Sequence, residues 1–590
     1  MLLLAPGPQS RPWGFDPLSA IIGAGIAVLL FGLVRVLRQA IAALWESIAE
    51  RAKRARGRLS ASGEDRYLQR VAQWANFTTV DPDLAPLHAV FVEPELLTPV
   101  RLPTALSEVE PDSEPHRGIR IEAIMAGHDR LAILGPAGAG RTSLLAYLAL
   151  ELTRLRMQHG DQDGVEGGPA DESRLPLYAL LPAIEWEWLG GSAAGEQETE
   201  AGAEPDEVAA WEIDVLVSAA IEAVDAKKSL AGPLRQCLEE GQAVVLLDDW
   251  SELSPQQQLL ATGWLAQLVE ILPGNIWLVA ASTRGYAPLA EAGFVPVRVL
   301  PWDAGGAGRL AERWSDAAEK EGEEGAATLD PSADLQRAAQ LGSLPFDLAL
   351  RAMVFAMYGE APPGRAALYD IAFDLRLPQE TQPWLRAACR DALGRLAQQL
   401  QDEGRSVASW AEIELAIEEA LAYLEDWPAG ALTEARTALI GPQALLRRVG
   451  SDRYSFAHPQ WRTYLAARRL VDLGHEALME RLDDSRWSGV MSFCAGLTDV
   501  APLVAAWLAG PDDLFQARLR AVGSWIREAP ASAAWIGGAM ALLARSFLAP
   551  RSPLSLRISL AEALAMSEAP GVGYLFRKPA EHADPEVRLA

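Results

Sequence analysis

Apolar positions along this chain follow two periods, and the change between them divides the molecule. From Leu131 to Leu300 short apolar runs alternate with stretches of helical spacing. Leu131–Leu134, Leu177–Ile184, Val244–Leu247, Ile276–Ala281 and Val295–Leu300 read as strands. Ser143–Leu155, Asp214–Val224 and Gln256–Leu272 read as helices. Strand–helix alternation of this kind predicts an α/β fold, a parallel sheet with helices on both faces. Two Gly/Glu/Asp-rich stretches, about 160–174 and 190–207, read as loops thrown out from that sheet. Ahead of it, Tyr67–Trp74 has helical spacing and His88–Glu93 a strand-like run, and the acidic Leu106–Pro115 suits an exposed connection. After Trp302 helical patterns dominate, interrupted at 321–330 and 359–365. Near the end, Ser555–Leu564 and Asp584–Ala590 resemble helices of HEAT-type repeats, which bury their faces by stacking on neighbours.

The N-terminus follows a third pattern. Leu18 to Val34 reads LSAIIGAGIAVLLFGLV and carries no charge. At about 1.5 Å per residue such a helix crosses most of a bilayer core. Arg35 and Arg38 can snorkel and lengthen the span. Arg51, Lys53, Arg54, Arg56 and Arg58 follow it while only Arg11 precedes it, which predicts a single-pass anchor with the bulk of the chain in the cytoplasm. A cleaved signal peptide would have the reverse polarity. The basic stretch, about 39–58, is expected to touch anionic headgroups, so the lipid bilayer is an expected partner.

Composition narrows the function. A chain of 590 residues needs several domains, and half of it is apolar. A net charge of -27 speaks against a phosphate backbone, so no nucleic acid partner is expected. Cys237, Cys389 and Cys494 match no metal or redox spacing and read as buried apolar residues.

The chemistry centres on Gly135-Pro-Ala-Gly-Ala-Gly-Arg-Thr142, a glycine-rich loop between a strand and a helix. Such a loop turns backbone N–H groups toward a phosphate, and the helix N-terminus adds partial positive charge. Gly135, Gly138, Gly140, Arg141, Thr142 and Ser143 are the candidate nucleotide-binding residues, with the Thr142 hydroxyl placed to coordinate Mg2+. Arg141 stands where lysine is usual, and its planar fork is bulkier than an ammonium. Binding should survive that change more easily than phosphoryl transfer, which depends on close placement. The strand Val244-Val-Leu-Leu-Asp248 ends in an acid that would hold magnesium beside the loop, and Glu252 is placed to polarise an attacking water. Leu278-Val-Ala-Ala-Ser-Thr-Arg284 ends in an arginine expected to sense the γ-phosphate.

These motifs together resemble the NACHT family of signal-transduction P-loop NTPases. Leu246-Leu-Asp-Asp-Trp-Ser-Glu-Leu253 is similar to the family's acidic motif, with Asp249 and Ser251 as departures. Ser282-Thr-Arg284 resembles its sensor, with Gly285 where proline is usual; Leu344-Pro345 with Leu368-Tyr369 resembles its proline motif and the start of its winged helix. Tyr454-Ser-Phe-Ala-His458 followed by Trp461–Ala467 resembles its histidine segment, with Thr463 in place of an acid. The resemblance spans about Tyr67 to Asp499 and implies ATP/ADP and Mg2+ as cofactors. It implies that Pro345 packs near the adenine and that His458 reaches the β-phosphate of ADP. It divides the chain into an N-terminal tail and anchor (1–38), a basic juxtamembrane helix and linker (39–115) and a NACHT-like domain (116–302). A small helical domain (303–345), a winged-helix-like domain (346–470) and a helical, HEAT-like region (471–590) follow.

The function this implies is a membrane-anchored switch and slow ATPase, ADP-bound and monomeric at rest, ATP-bound and homo-oligomeric when triggered by an unknown protein. Bacterial relatives of this kind are linked to defence against phage, which the resemblance permits. The alternative is a nucleotide-binding scaffold that does not hydrolyse, favoured by Arg141, Asp249 and Ser251. A transport ATPase fits poorly, because no LSGGQ-like signature is present.

Overall fold

The computed structural model describes residues 63–97, 119–160, 174–186, 205–321 and 331–580, the last apart from 341–342, 378–380, 423–427, 429, 441–443, 451, 550–551 and 568–570. The elements below belong to the compact unit Tyr67–Ala590. The apolar run Leu18–Val34, the basic stretch after it and the Leu106–Pro115 connection lie outside the described residues. Among the described residues no helix is long and apolar enough to cross a membrane.

Six strands form the main sheet: β1 (Leu96–Leu97), β2 (Arg130–Leu134), β3 (Leu175–Leu180), β4 (Ala243–Asp248), β5 (Ile276–Ala281) and β6 (Val295–Val299). Their order is β1-β6-β2-β5-β4-β3. The pairs among β2 to β6 are parallel, as the apolar runs predict for strands covered on both faces. Every residue of β3, β4 and β5 is buried. The short β1 pairs antiparallel with β6 at the edge, an element the sequence did not announce. A second difference lies just before it. The His88–Glu93 run is not a strand; Leu87–Val90 is one helical turn. Its side chains divide between two cores, which a strand of the same apolar content would also do.

Helices α1 (Arg141–Gly160), α2 (Pro205–Ala223), α3 (Ala231–Glu239) and α4 (Pro255–Ile271) connect the parallel strands. α2 begins inside the stretch read as a loop to residue 207. Local chemistry fixes the ends. Ser254 and Gln257 form a reciprocal capping box that starts α4. Buried Asn275 donates to the carbonyls of Leu238 (2.8 Å) and Leu272 (3.0 Å) and accepts from the Ala243 N–H (2.9 Å), tying the starts of β4 and β5 together. Because β5 lies between β2 and β4, the loop after β2 and the acids after β4 meet across a single intervening strand.

Past the sheet come α5 (Ala304–Glu321), α6 (Ser332–Gln340), α7 (Pro345–Tyr358) and α8 (Arg365–Arg376). The boundary drawn at 345/346 therefore falls in the first turn of α7. Next are α9 (Pro383–Glu403), β7 (Val407–Ser409), α10 (Trp410–Leu421), α11 (Ala431–Leu439), β8 (Leu446–Arg448), β9 (Arg453–Phe456) and α12 (Pro459–Leu473). Helix, strand, two helices and a hairpin, with the antiparallel order β7-β9-β8, make a winged helix. The remaining helices, α13 (Ser488–Leu497), α14 (Ala501–Ala509), α15 (Ala517–Glu528), α16 (Ile536–Phe547), α17 (Leu554–Met566) and α18 (Val572–Ala580), pack largely on near neighbours in sequence. One apolar core lies around the main sheet and another runs through the helical part from α5 onward. The three cysteines are buried and none is in a disulfide, and burial pushes the thiols of Cys389 and Cys494 up to about 12.

Candidate nucleotide site

The turn between β2 and α1 needs backbone that only glycine adopts easily. Gly138 and Gly140 have φ of 93° and 87°, in the left-handed region. Gly138 also sits against the start of α7: its carbonyl accepts from the Phe346 N–H at 3.0 Å, and an added Cβ would lie 3.3 Å from that of Phe346. The loop opens on a cavity of about 320 Å³. Loop residues 137–143, Asp249, Arg447 and His458 line one part of it, and apolar residues including Val80, Trp302, Leu310 and Trp314 line another. A polar end beside an apolar end is the pattern of a cofactor site.

Across the loop stand the acids that follow β4. Asp248 is buried, and its carboxylate accepts from the Tyr178 hydroxyl (3.1 Å) and the Asp249 N–H (2.8 Å), with Thr142 beside it favouring the charged form. Burial, with the charge of Asp249 beside it, raises its pKa to about 6. Tyr178 is itself clamped by a stacked Trp74 at 3.8 Å. Arg141 lays its stem over Gly135 and points its guanidinium at the Ser251 hydroxyl (3.4 Å). Burial lowers its pKa, against the charges of Asp248, Asp249 and Glu252, which favour the cation. Arg141 thus faces the acidic motif as well as the cavity.

The next two acids are taken by the winged helix and the helix after it. Asp249, in left-handed backbone at φ 63°, pairs with Arg447 of β8. Glu252 pairs with Arg462 of α12 at 2.7 Å, both side chains largely buried. Ser406 donates to the Glu252 carbonyl at 2.9 Å, and Gln460 donates to the carbonyl of loop residue Ala137 at 3.1 Å.

Pro345 opens α7 beside the phosphate loop; a Cβ added at Gly140 would lie 3.9 Å from its side chain. His458 caps α12 by accepting from the Gln460 N–H through Nδ1 (3.2 Å), and its ring stacks on Phe346 at 3.7 Å. Part of the ring opens on the cavity, yet it sits deep enough that burial pushes its pKa down to about 3, helped by Arg447, Arg141 and Arg365. It is neutral at physiological pH. Ser143 lines the same cavity.

Arg284 stands apart from the cavity. The segment Ser282–Arg284 folds on itself, the Ser282 hydroxyl bonding both the N–H and the carbonyl of Arg284. Gly285 follows with φ 78°, and the Arg284 side chain is exposed and away from the cavity lining. Arg447 reaches Asp249 and the cavity, and Arg462 reaches Glu252; sequence reading passed over both. Tyr178, Phe346 and Gln460 were missed as well; only the helix motif around His458 pointed near any of them.

A glycine loop after the central strand, with the acid two strands away, makes this a P-loop NTPase fold. No family model matches the chain, and no curated protein does either. Solved structures are similar at a distant level. A Cdc6p from Pyrobaculum aerophilum is 14% identical over 62% of this chain and 97% of its own, with a TM-score of 0.23. The Aeropyrum pernix ORC1 protein in complex with DNA is 17% identical over 62% and 96%, with a TM-score of 0.24. The Drosophila ORC bound to DNA is 11% identical over 61% and 88%, with a TM-score of 0.21. The fold assignment rests on the loop and strand order rather than on these matches. Two of the three are of DNA-bound proteins, and the exclusion of nucleic acid, which rested on net charge alone, is withdrawn. A charge summed over 590 residues does not set the potential of any one face.

The residues present fit a magnesium–nucleotide. Among the described residues no three His, Cys, Asp or Glu side chains gather into a cage. One hydroxyl and one carboxylate, Thr142 and Asp248, meet at the loop instead, which is how magnesium shared with phosphate oxygens is held. When bound, the ion would neutralise charge on the phosphates.

Proposed function

We propose that the chain is a nucleotide-binding switch of NACHT-like design, here in a closed arrangement, with ATP/ADP and Mg2+ as its ligands. The observation that carries this is the convergence of the phosphate loop and Thr142 on one end of a cavity whose other end is apolar, with buried Asp248 beside Thr142. In it Thr142 and Asp248 hold the metal, the loop N–H groups and Arg141 hold phosphate, and Pro345 and His458 border the nucleotide. Glu252 would take the proton of an attacking water.

The test is nucleotide occupancy and phosphate release of the purified full-length chain beside Arg141→Ala. Bound nucleotide that disappears in the variant supports the reading. An empty wild-type chain with no measurable nucleotide affinity sinks it.

A second reading, a binder that does not hydrolyse, draws support from Glu252, whose carboxylate is occupied by Arg462. Phosphate release that vanishes in Glu252→Gln would remove it. A membrane tether at Leu18–Val34 with the bulk on the cytoplasmic side remains part of the proposal, supported by the uncharged run and the basic residues after it. Deletion of residues 1–38 should move the protein to the soluble fraction; continued pelleting would count against the tether.

A further inference from the structure

We infer that Arg462 is an inhibitory latch: it holds Glu252 away from water, so nucleotide can bind while turnover is suppressed. This rests on the nucleotide reading above and specifies how that site is regulated.

Three observations carry it. The Arg462–Glu252 pair is short, 2.7 Å, and largely buried, with side chains 16% and 14% exposed. A charge-assisted bond of that kind occupies a base that would otherwise accept a proton. Next, the space beside the pair, lined by Asp249, Glu252, Ser406, Arg447 and Arg462, is about 10 Å³. One water needs at least about that volume together with free polar partners. Here the charged groups already face one another. Finally, Arg462 does not line the nucleotide cavity, whereas Arg447 does. The latch therefore acts on the acid without blocking the binding space.

The gated reaction is attack of water oxygen on the terminal phosphorus. A new P–O bond forms, the bond to the leaving diphosphate breaks, and the water proton passes to Glu252. With Glu252 paired to Arg462 and space for at most one water beside them, that step waits until α12 moves from the acidic motif. The pair spans 210 residues of sequence, so it forms only when the winged helix and α12 are docked on the main sheet. Docking and inhibition are the same event.

The test compares full-length wild type, Arg462→Ala, Arg462→Lys and the double variant Arg462→Ala/Glu252→Gln. A fluorescent ADP analogue reads affinity, and phosphate release reads turnover. Arg462→Ala should raise kcat on the order of tenfold, within the usual range of coupling between sites, with nucleotide affinity unchanged. Arg462→Lys should return kcat toward wild type, and the double variant should release no phosphate. Unchanged or lower kcat in Arg462→Ala, with nucleotide bound and the melting transition intact, overturns the latch alone. So does a faster variant that stays fast with Glu252→Gln. Binding without hydrolysis in every variant overturns it too. No binding in wild type overturns the latch and the nucleotide reading together.

Discussion

The two sides of the phosphate loop are built differently. On one side Thr142 borders an open cavity and buried Asp248 lies beside it. On the other, Asp249 and Glu252 are each covered by an arginine of the winged helix or the helix after it. The first side is made by the ends of β2 and β4, two strands of one sheet with β5 between them. The second needs two parts of the chain about 200 residues apart to be docked. The contrast teaches that holding nucleotide and consuming it are separable properties of this fold.

The sharpest way to break that comparison is to damage the first side. Thr142→Ala should weaken magnesium-dependent nucleotide binding by about 100-fold, since even outer-sphere losses reach that scale. Titration with and without magnesium checks it, and an effect that ignores magnesium would remove Thr142 as the ligand. Damage to the second side should appear as stability instead. Arg447→Ala leaves Asp249 uncompensated and should cost about 2 kcal/mol, below the fully buried range because Arg447 keeps some solvent contact. Denaturant unfolding reads this directly.

A smaller effect concerns acid. His458 is neutral in the fold, with a pKa pushed down to about 3, below its ordinary value near 6.5. Between those values the unfolded chain binds the proton and the folded chain does not, so the stabilisation is complete above about pH 6.5 and is lost as pH falls toward 3. His458→Gln should make that acid limb shallower by up to one proton. Equal slopes in both proteins would mean the histidine titrates normally. The smallest effect is a null: Arg284→Ala should change stability by no more than about 0.5 kcal/mol and leave turnover intact.

Much of the first side was legible in the sequence, because its signals are local. Apolar runs placed β2, β4 and β5, and glycine spacing placed the loop. The second side was not. Arg447 and Arg462 carry no local mark that separates them from solvated arginines, and their partners are 198 and 210 residues away. Arg284 is the opposite case: its tripeptide resembles a sensor, while the Ser282 turn and Gly285 shape the chain there so that its side chain is exposed. The His88–Glu93 run misled because apolar content alone does not separate a strand from a single helical turn. β1 is two residues long and has no period to detect.

The segment from Val80 to Val92 belongs to both cores. Leu87 and Phe91 pack with the main sheet, while Val80, Ala85, Val90 and Val92 pack with the helical part. Phe91 is the rivet: its ring stacks on Tyr147 of α1 at 3.9 Å, and its carbonyl accepts from Arg313 of α5. The same strip walls the cavity, so a ligand lodged there would press on a segment that both cores share.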